Sequence, residues 1–380
     1  MQESGSGRWI QLKKNKTAEL FLVLLILIVM SVGILILQNG MEKLQNVKPE
    51  SVYVPETRDL YNNYGLKNDQ SLSKTKIMET QDQVIYTDRI FHINQISEDH
   101  ISYAADIMKA LQEKSGKDTY IMPIPERAVF ESGYENEKEK YSDFIEKLEA
   151  SFSNPSVVLN PLSELEKHQY EYIYFRTENS WTMRGAFYGA QVIFGELGYN
   201  KENLDAYREY VFGTFEGNLL LETLQKYTTD EIKKDIENME QEPFYIYING
   251  SNPNREELTF ENKEGQLQIL KRQMIQFNSS GSHAVIGSDY AHSIVEGRGT
   301  GNLLLITDTR GKLMISYLSE IFEKVYVSNI YEDADLIQNL DEILEKYNIE
   351  YIVWAQDVAE TGNRSYMRAL NPLLEEGGNV

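Results

Sequence analysis

The residues best placed for chemistry lie in the run Leu305-Ile306-Thr307-Asp308-Thr309-Arg310-Gly311. A polar cluster directly after a buried apolar strand puts Thr309 at the carboxyl edge of a sheet, beside a helix N-terminus with free N–H groups. Open α/β sheets gather function at such junctions. Thr309 offers a hydroxyl nucleophile there, and Asp308 a carboxylate that either serves the site or caps the helix. A hydroxyl attacks only when a base takes its proton, so an imidazole is wanted nearby. The histidines at 92, 100, 168, 283 and 292 show no H-E-x-x-H or i,i+4 spacing, so no metal site is expected. His283 and His292 precede the 302–306 strand and could approach Thr309, with Asp289 as a carboxylate near His292. An aspartyl-phosphate reading of Asp308 wants a second carboxylate two residues on and meets Arg310 instead. Gly297-Arg298-Gly299-Thr300-Gly301 precedes a strand, so it reads as a turn and not as a phosphate cradle.

The elements that must position these groups alternate in period. Ile101, Ala104, Ile107, Met108 and Leu111 recur at helical spacing after Ser97-Glu98-Asp99, and Thr119–Ile124 reads as a buried strand. Phe144, Ile145 and Leu148 mark a second helix, Ser156–Asn160 a strand, and Pro161 the start of a short helix. Tyr172–Phe175 is strand-like, and a helix from Trp181 to Leu197 carries Phe187, Ala190, Ile193 and Phe194. Strands at 302–306, 324–328 and 350–354 alternate with helices around 313–321 and 335–347. That alternation predicts a three-layer α/β domain with a mostly parallel sheet. Its expected limits are 86–360, with 201–300 as a loop-rich insertion and 361–380 as a tail.

Composition bounds the partners. Acidic side chains number 59 against 37 basic ones, a formal charge of −22, which argues against nucleic acid. The chain has no cysteine, so disulfides, thiolate chemistry and Cys-ligated metal are excluded, and no cofactor is expected. Leu20–Leu37 is an uncharged run of 18 residues, about 27 Å as a helix and close to the roughly 30 Å hydrocarbon core. Residues 1–19 carry Arg8, Lys13, Lys14 and Lys16 against Glu3 and Glu19, so they are expected in the cytoplasm. The run is long for a signal peptide and lacks a small-residue cut site, which predicts one uncleaved span. Residues 38–85 are expected to form a stalk leading to an extracytoplasmic domain.

The segment Tyr172-Ile-Tyr-Phe-Arg-Thr-Glu-Asn-Ser-Trp-Thr-Met-Arg-Gly-Ala-Phe-Tyr188 resembles the signature of the bacterial DHHW family. There a strand ending Tyr-Arg-Thr leads to Asp-His-His-Trp-Thr and a helix with Gly-Ala-Tyr. Tyr120–Pro125, Glu216–Leu220 and Leu303–Thr309 followed by Ser316–Phe322 resemble its other elements in the same order. The resemblance implies an SGNH-hydrolase-like fold, similar to alginate O-acetylation proteins, with a Ser/His/Asp triad that takes up an acyl group. The triad Asp falls on Glu178, its His on Ser180 and its Ser on Thr309. The first signature His falls on Asn179 and the Trp on Trp181.

All three triad positions therefore differ. Ser180 has no lone pair basic enough to deprotonate a hydroxyl near neutral pH, and triad members act as a unit. The expectation is a catalytically impaired relative serving exopolysaccharide or cell-envelope O-acetylation. It would bind glycan through Asn179, Trp181, Asp308, Arg310 and His283, beside a membrane-bound O-acyltransferase. The alternative is an active O-acetyltransferase or acetylesterase using Thr309 and a loop histidine.

Overall fold

The computed structural model describes residues 75–93, 96–200, 203–227, 230–237, 239, 242–248, 258–261, 267–270 and 291–375. The apolar run 20–37 and His283 lie outside them. Among the described residues no helix is long and apolar enough to cross a membrane.

The strands in chain order are β1 (Lys76–Glu79), β2 (Gln83–Tyr86), β3 (Ile90–His92), β4 (Asp118–Ile124), β5 (Arg208–Phe215) and β6 (Glu242–Ile248), then β7 (Leu258–Glu261), β8 (Leu267–Leu270), β9 (His292–Glu296), β10 (Asn302–Thr307), β11 (Lys324–Asn329) and β12 (Tyr351–Asp357). The helices are α1 (Glu98–Ser115), α2 (Glu135–Glu149), α3 (Leu162–Glu166), α4 (Met183–Glu196), α5 (Asn218–Lys226), α6 (Asp230–Glu237), α7 (Thr309–Lys312), α8 (Ile315–Ile321), α9 (Leu340–Lys346) and α10 (Pro372–Glu375).

Seven strands form the central sheet in the order β4-β12-β10-β11-β9-β7-β8. β4, β12, β10 and β11 run parallel, and β9 turns antiparallel against β11. β10 is buried along its whole length, as its unbroken apolar run requires. Leu303 and Leu305 join one apolar cluster with Phe187, Ala190, Phe194 and Leu318, while Leu304 and Ile306 join another with Ile107, Met108, Phe144 and Leu340. The period-2 alternation of a strand thus feeds a core on each face of the sheet.

Three expectations change. The C-terminal part of the expected stalk, residues 76–85, holds β1 and most of β2, which form a three-stranded antiparallel sheet with β3. Ser156–Asn160 and Tyr172–Phe175 make single bridges, Val158 to Ile121 and Tyr174 to Trp181, and not full strands. An apolar run specifies burial but not a hydrogen-bonding neighbour. Within 201–300, read as irregular, the described residues include five strands and two helices, and β9 belongs to the central sheet.

Candidate functional site

The carboxyl ends of β4, β10 and β12 lie side by side, because Asp357 pairs with Ile124 and Thr307 with Ala355. Asp308 follows β10, Asp357 ends β12, and Glu126 comes two residues after β4. Asp308 caps α7: its Oδ1 accepts from the backbone N–H groups of Arg310 at 2.8 Å and Gly311 at 3.2 Å. Its Oδ2 accepts from Asp357 N–H at 3.0 Å.

The Arg310 guanidinium lies 3.2 Å from Asp308 and 3.4 Å from Glu126, and it contacts Asp357 directly. All four side chains are buried. Burial works against the charge of Arg310, but the three carboxylates outweigh it and hold the guanidinium firmly protonated. Burial pushes the Asp357 carboxyl well up, against the lowering effect of the Arg310 charge beside it. Just outside, burial and the Asp357 charge raise Glu360 to about 7, while it accepts from the Tyr331 hydroxyl.

A carboxyl whose folded value exceeds its ordinary 4.5 holds more proton when folded. Stability is therefore expected to fall as pH rises from about 4.5 to about 7. Urea midpoints for the wild type and Glu360→Gln, taken at intervals from pH 5 to pH 8, check this. The slope should flatten in the variant, and an unchanged slope would assign it elsewhere.

Residues 176–181 form a tight turn ahead of α4. Buried Glu242 ties it down, accepting from Arg176 N–H at 2.6 Å, Thr177 N–H at 2.7 Å, the Tyr172 hydroxyl at 2.5 Å and the Thr177 hydroxyl. Gly217 packs on the same turn, donating to Thr177 Oγ1 at 2.9 Å. A Cβ at 217 would overlap the Thr177 carbonyl, which requires glycine there. Trp181 closes the arrangement: its Nε1–H donates to the Arg310 carbonyl oxygen at 2.8 Å. That contact joins the signature turn to the residue after Thr309, across 129 positions.

The signature turn and the β10 junction thus meet through Trp181 and the Arg310 carbonyl, and the side chains there have structural duties. Trp181 is fully buried, and a Cβ at Gly189 would stand 2.5 Å from its ring. The ring is therefore not open to stack on a sugar, as the sequence reading supposed. Asp308 and Arg310, also expected to bind ligand, are consumed by their own ion-pair cluster. Glu178 and Ser180 are buried, and the Ser180 hydroxyl donates to the Trp181 carbonyl at 3.1 Å. Asn179 and Thr309 are half-buried and keep access to solvent.

His292 does not approach Thr309. It begins β9, stacks on Tyr326 at 5.6 Å between ring centres and has Nδ1 3.9 Å from the Asp333 carboxylate. Tyr326 belongs to the cluster on the face opposite Trp181. The imidazole that does reach the turn is His92, whose Nδ1 lies 3.1 Å from Asn179 Nδ2. Burial and then the Arg310 charge hold its proton affinity below the ordinary histidine value, against Asp357, Asp82 and Glu222. With 87 positions between partners, no local spacing announces the pair. A cavity of about 400 Å³ at the opposite end of β4, lined by Lys109, Lys117, Asp118 and Asn154, is separate from these groups.

A crystal structure of a DHHW family protein from Eubacterium siraeum superposes with a TM-score of 0.62 at 19% identity, covering 79% of this chain and 98% of its own. Bacillus cereus PatB1 with a sulfonyl adduct gives a TM-score of 0.56 at 11% identity, covering 77% of this chain and 97% of its own. These likenesses carry the fold. A comparison with curated proteins gives no match. The DHHW protein family model matches residues 63–328, taking in the signature turn, the Gly217 contact and the β10 junction. The order of those elements and their meeting at Trp181 and Arg310 agree with that match, and the chain belongs to the DHHW family.

Proposed function

We propose that this chain is a membrane-anchored, extracytoplasmic DHHW protein with an SGNH-hydrolase-like three-layer domain and an impaired acyl-transfer site. It acts in exopolysaccharide or cell-envelope O-acetylation by binding glycan or by holding a membrane-bound O-acyltransferase. The anchor reading rests on the uncharged run 20–37 behind a basic N-terminus. The observation that carries the site reading is the state of position 180: the residue matching the family's base is a buried serine donating to the neighbouring carbonyl. Among the described residues no imidazole hydrogen-bonds the Thr309 hydroxyl. A hydroxyl without a base is a poor nucleophile, and the added methyl of threonine restricts χ1.

Purified full chain mixed with p-nitrophenyl acetate is expected to release acetate no faster than Thr309→Ala. The triple variant Glu178→Asp, Ser180→His, Thr309→Ser should gain hydrolysis. The PatB1 structure contains a sulfonyl adduct; in this chain a sulfonyl fluoride should leave Thr309 unmodified. Release by the wild type that Thr309→Ala abolishes would establish an active acyltransferase or esterase instead.

A further inference from the structure

Position 180 lacks the signature imidazole, yet an imidazole stands beside the adjacent residue. The Asn179 side-chain nitrogen lies 3.1 Å from His92 Nδ1. A carboxamide nitrogen only donates, so Nδ1 is the acceptor and the ring proton sits on Nε2. Among the described residues Nε2 has no partner. β3 is held to the signature turn by Ile90 N–H donating to the Arg176 carbonyl at 2.8 Å. The same turn reaches the residue after Thr309 through Trp181. Of residues 178–181, only Asn179 is not buried, and His92 and Thr309 share that partial exposure.

We propose that His92 is the imidazole of this site, fixed by Asn179 as an Nε2–H donor to an ester carbonyl or sugar hydroxyl oxygen beside Thr309. The inference rests on the impaired acyl-transfer reading above and names how the ligand oxygen is held. In this tautomer the ring cannot take the Thr309 proton, since Nε2 is occupied and the Nδ1 lone pair faces Asn179. Asn179 is a positioning residue: Asn179→Asp would accept from Nδ1–H and free Nε2 as a base.

Two measurements on the full chain test this. With ¹⁵N-labelled histidine at pH 7.5, the wild-type His92 should show a bare Nδ1 and a protonated Nε2, and Asn179→Asp should reverse the two. With p-nitrophenyl acetate as probe, Asn179→Asp should raise acetate release about a hundredfold, the usual order of a general base. The gain should vanish in Asn179→Asp/His92→Gln and in Asn179→Asp/Thr309→Ala. In that reaction Thr309 Oγ1 bonds to the acetyl carbon as its proton passes to His92 Nε2 and the aryloxide leaves. Water then cleaves the acetyl-threonine, and acetate departs.

A wild-type ring protonated on Nδ1, or no gain from Asn179→Asp, overturns the proposal. Acetate release by the wild type would sink the impaired reading instead, while the tautomer measurement still decides the place of His92.

Discussion

Replacing Arg310 by methionine should lower the unfolding free energy by about 3–5 kcal/mol near neutral pH, the usual cost of stranding buried charge. The guanidinium is surrounded by Asp308, Glu126 and Asp357, all buried at the carboxyl ends of three adjacent strands. Methionine fills similar volume but offers the carboxylates no donor, so they must take up protons or open to water. The deficit should therefore shrink as pH falls towards 5, where protons become available to the cluster. Lys167→Met is a suitable contrast, because Lys167 is exposed and pairs with Glu164 at the surface. It should change stability by no more than about 0.5 kcal/mol. Urea titrations of both variants at pH 5 and pH 7.5 give the comparison. A loss under about 1 kcal/mol for Arg310→Met would mean that the cluster is not assembled as described.

The second large effect concerns Trp181. Trp181→Ala should cost about 3–5 kcal/mol, because the indole is fully buried between α4 and the α7 junction. Trp181→Phe separates volume from hydrogen bonding: it keeps an aromatic ring but removes the indole donor, leaving the Arg310 carbonyl with only the Leu313 N–H at 3.1 Å. About 1–3 kcal/mol is expected for the lost hydrogen bond together with the smaller ring. The two variants followed by far-ultraviolet circular dichroism in urea should rank Ala well below Phe. Equal losses would place the stabilisation in the hydrogen bond alone, and a trivial loss for Ala would contradict the packing.

Much of the architecture was legible where a sheet strand announces its environment, as β4, β10, β11 and β12 do. Leu303–Ile306 is apolar at every position, which only a strand covered on both faces tolerates, and β10 is that strand. The helix reading at Ile101, Ala104, Ile107, Met108 and Leu111 became the buried stripe of α1. Ser156–Asn160 and Tyr172–Phe175 failed as strands for the complementary reason. Hydrophobicity records that a segment is inside, while pairing depends on which neighbour presents free N–H and C=O groups. The signature turn was visible as a motif, but Glu242, its buried anchor, was not. A glutamate that opens an apolar strand has no spacing relation to a turn 65 positions earlier.

By itself the chain's chemistry determined that position 180 holds no base, that position 309 holds a hydroxyl, and that strand and helix alternate towards the C-terminus. These are properties of residue type and period, and they need no partner to be read. Tertiary structure alone decided that Trp181, Asp308 and Arg310 support the rim from within, and that His92 arrives from β3 to meet Asn179. Burial and hydrogen bonding at those positions arise from side chains delivered by β3, β4, β10 and β12. The order in which strands assemble is a property of the packed sheet and is not written in any local stretch.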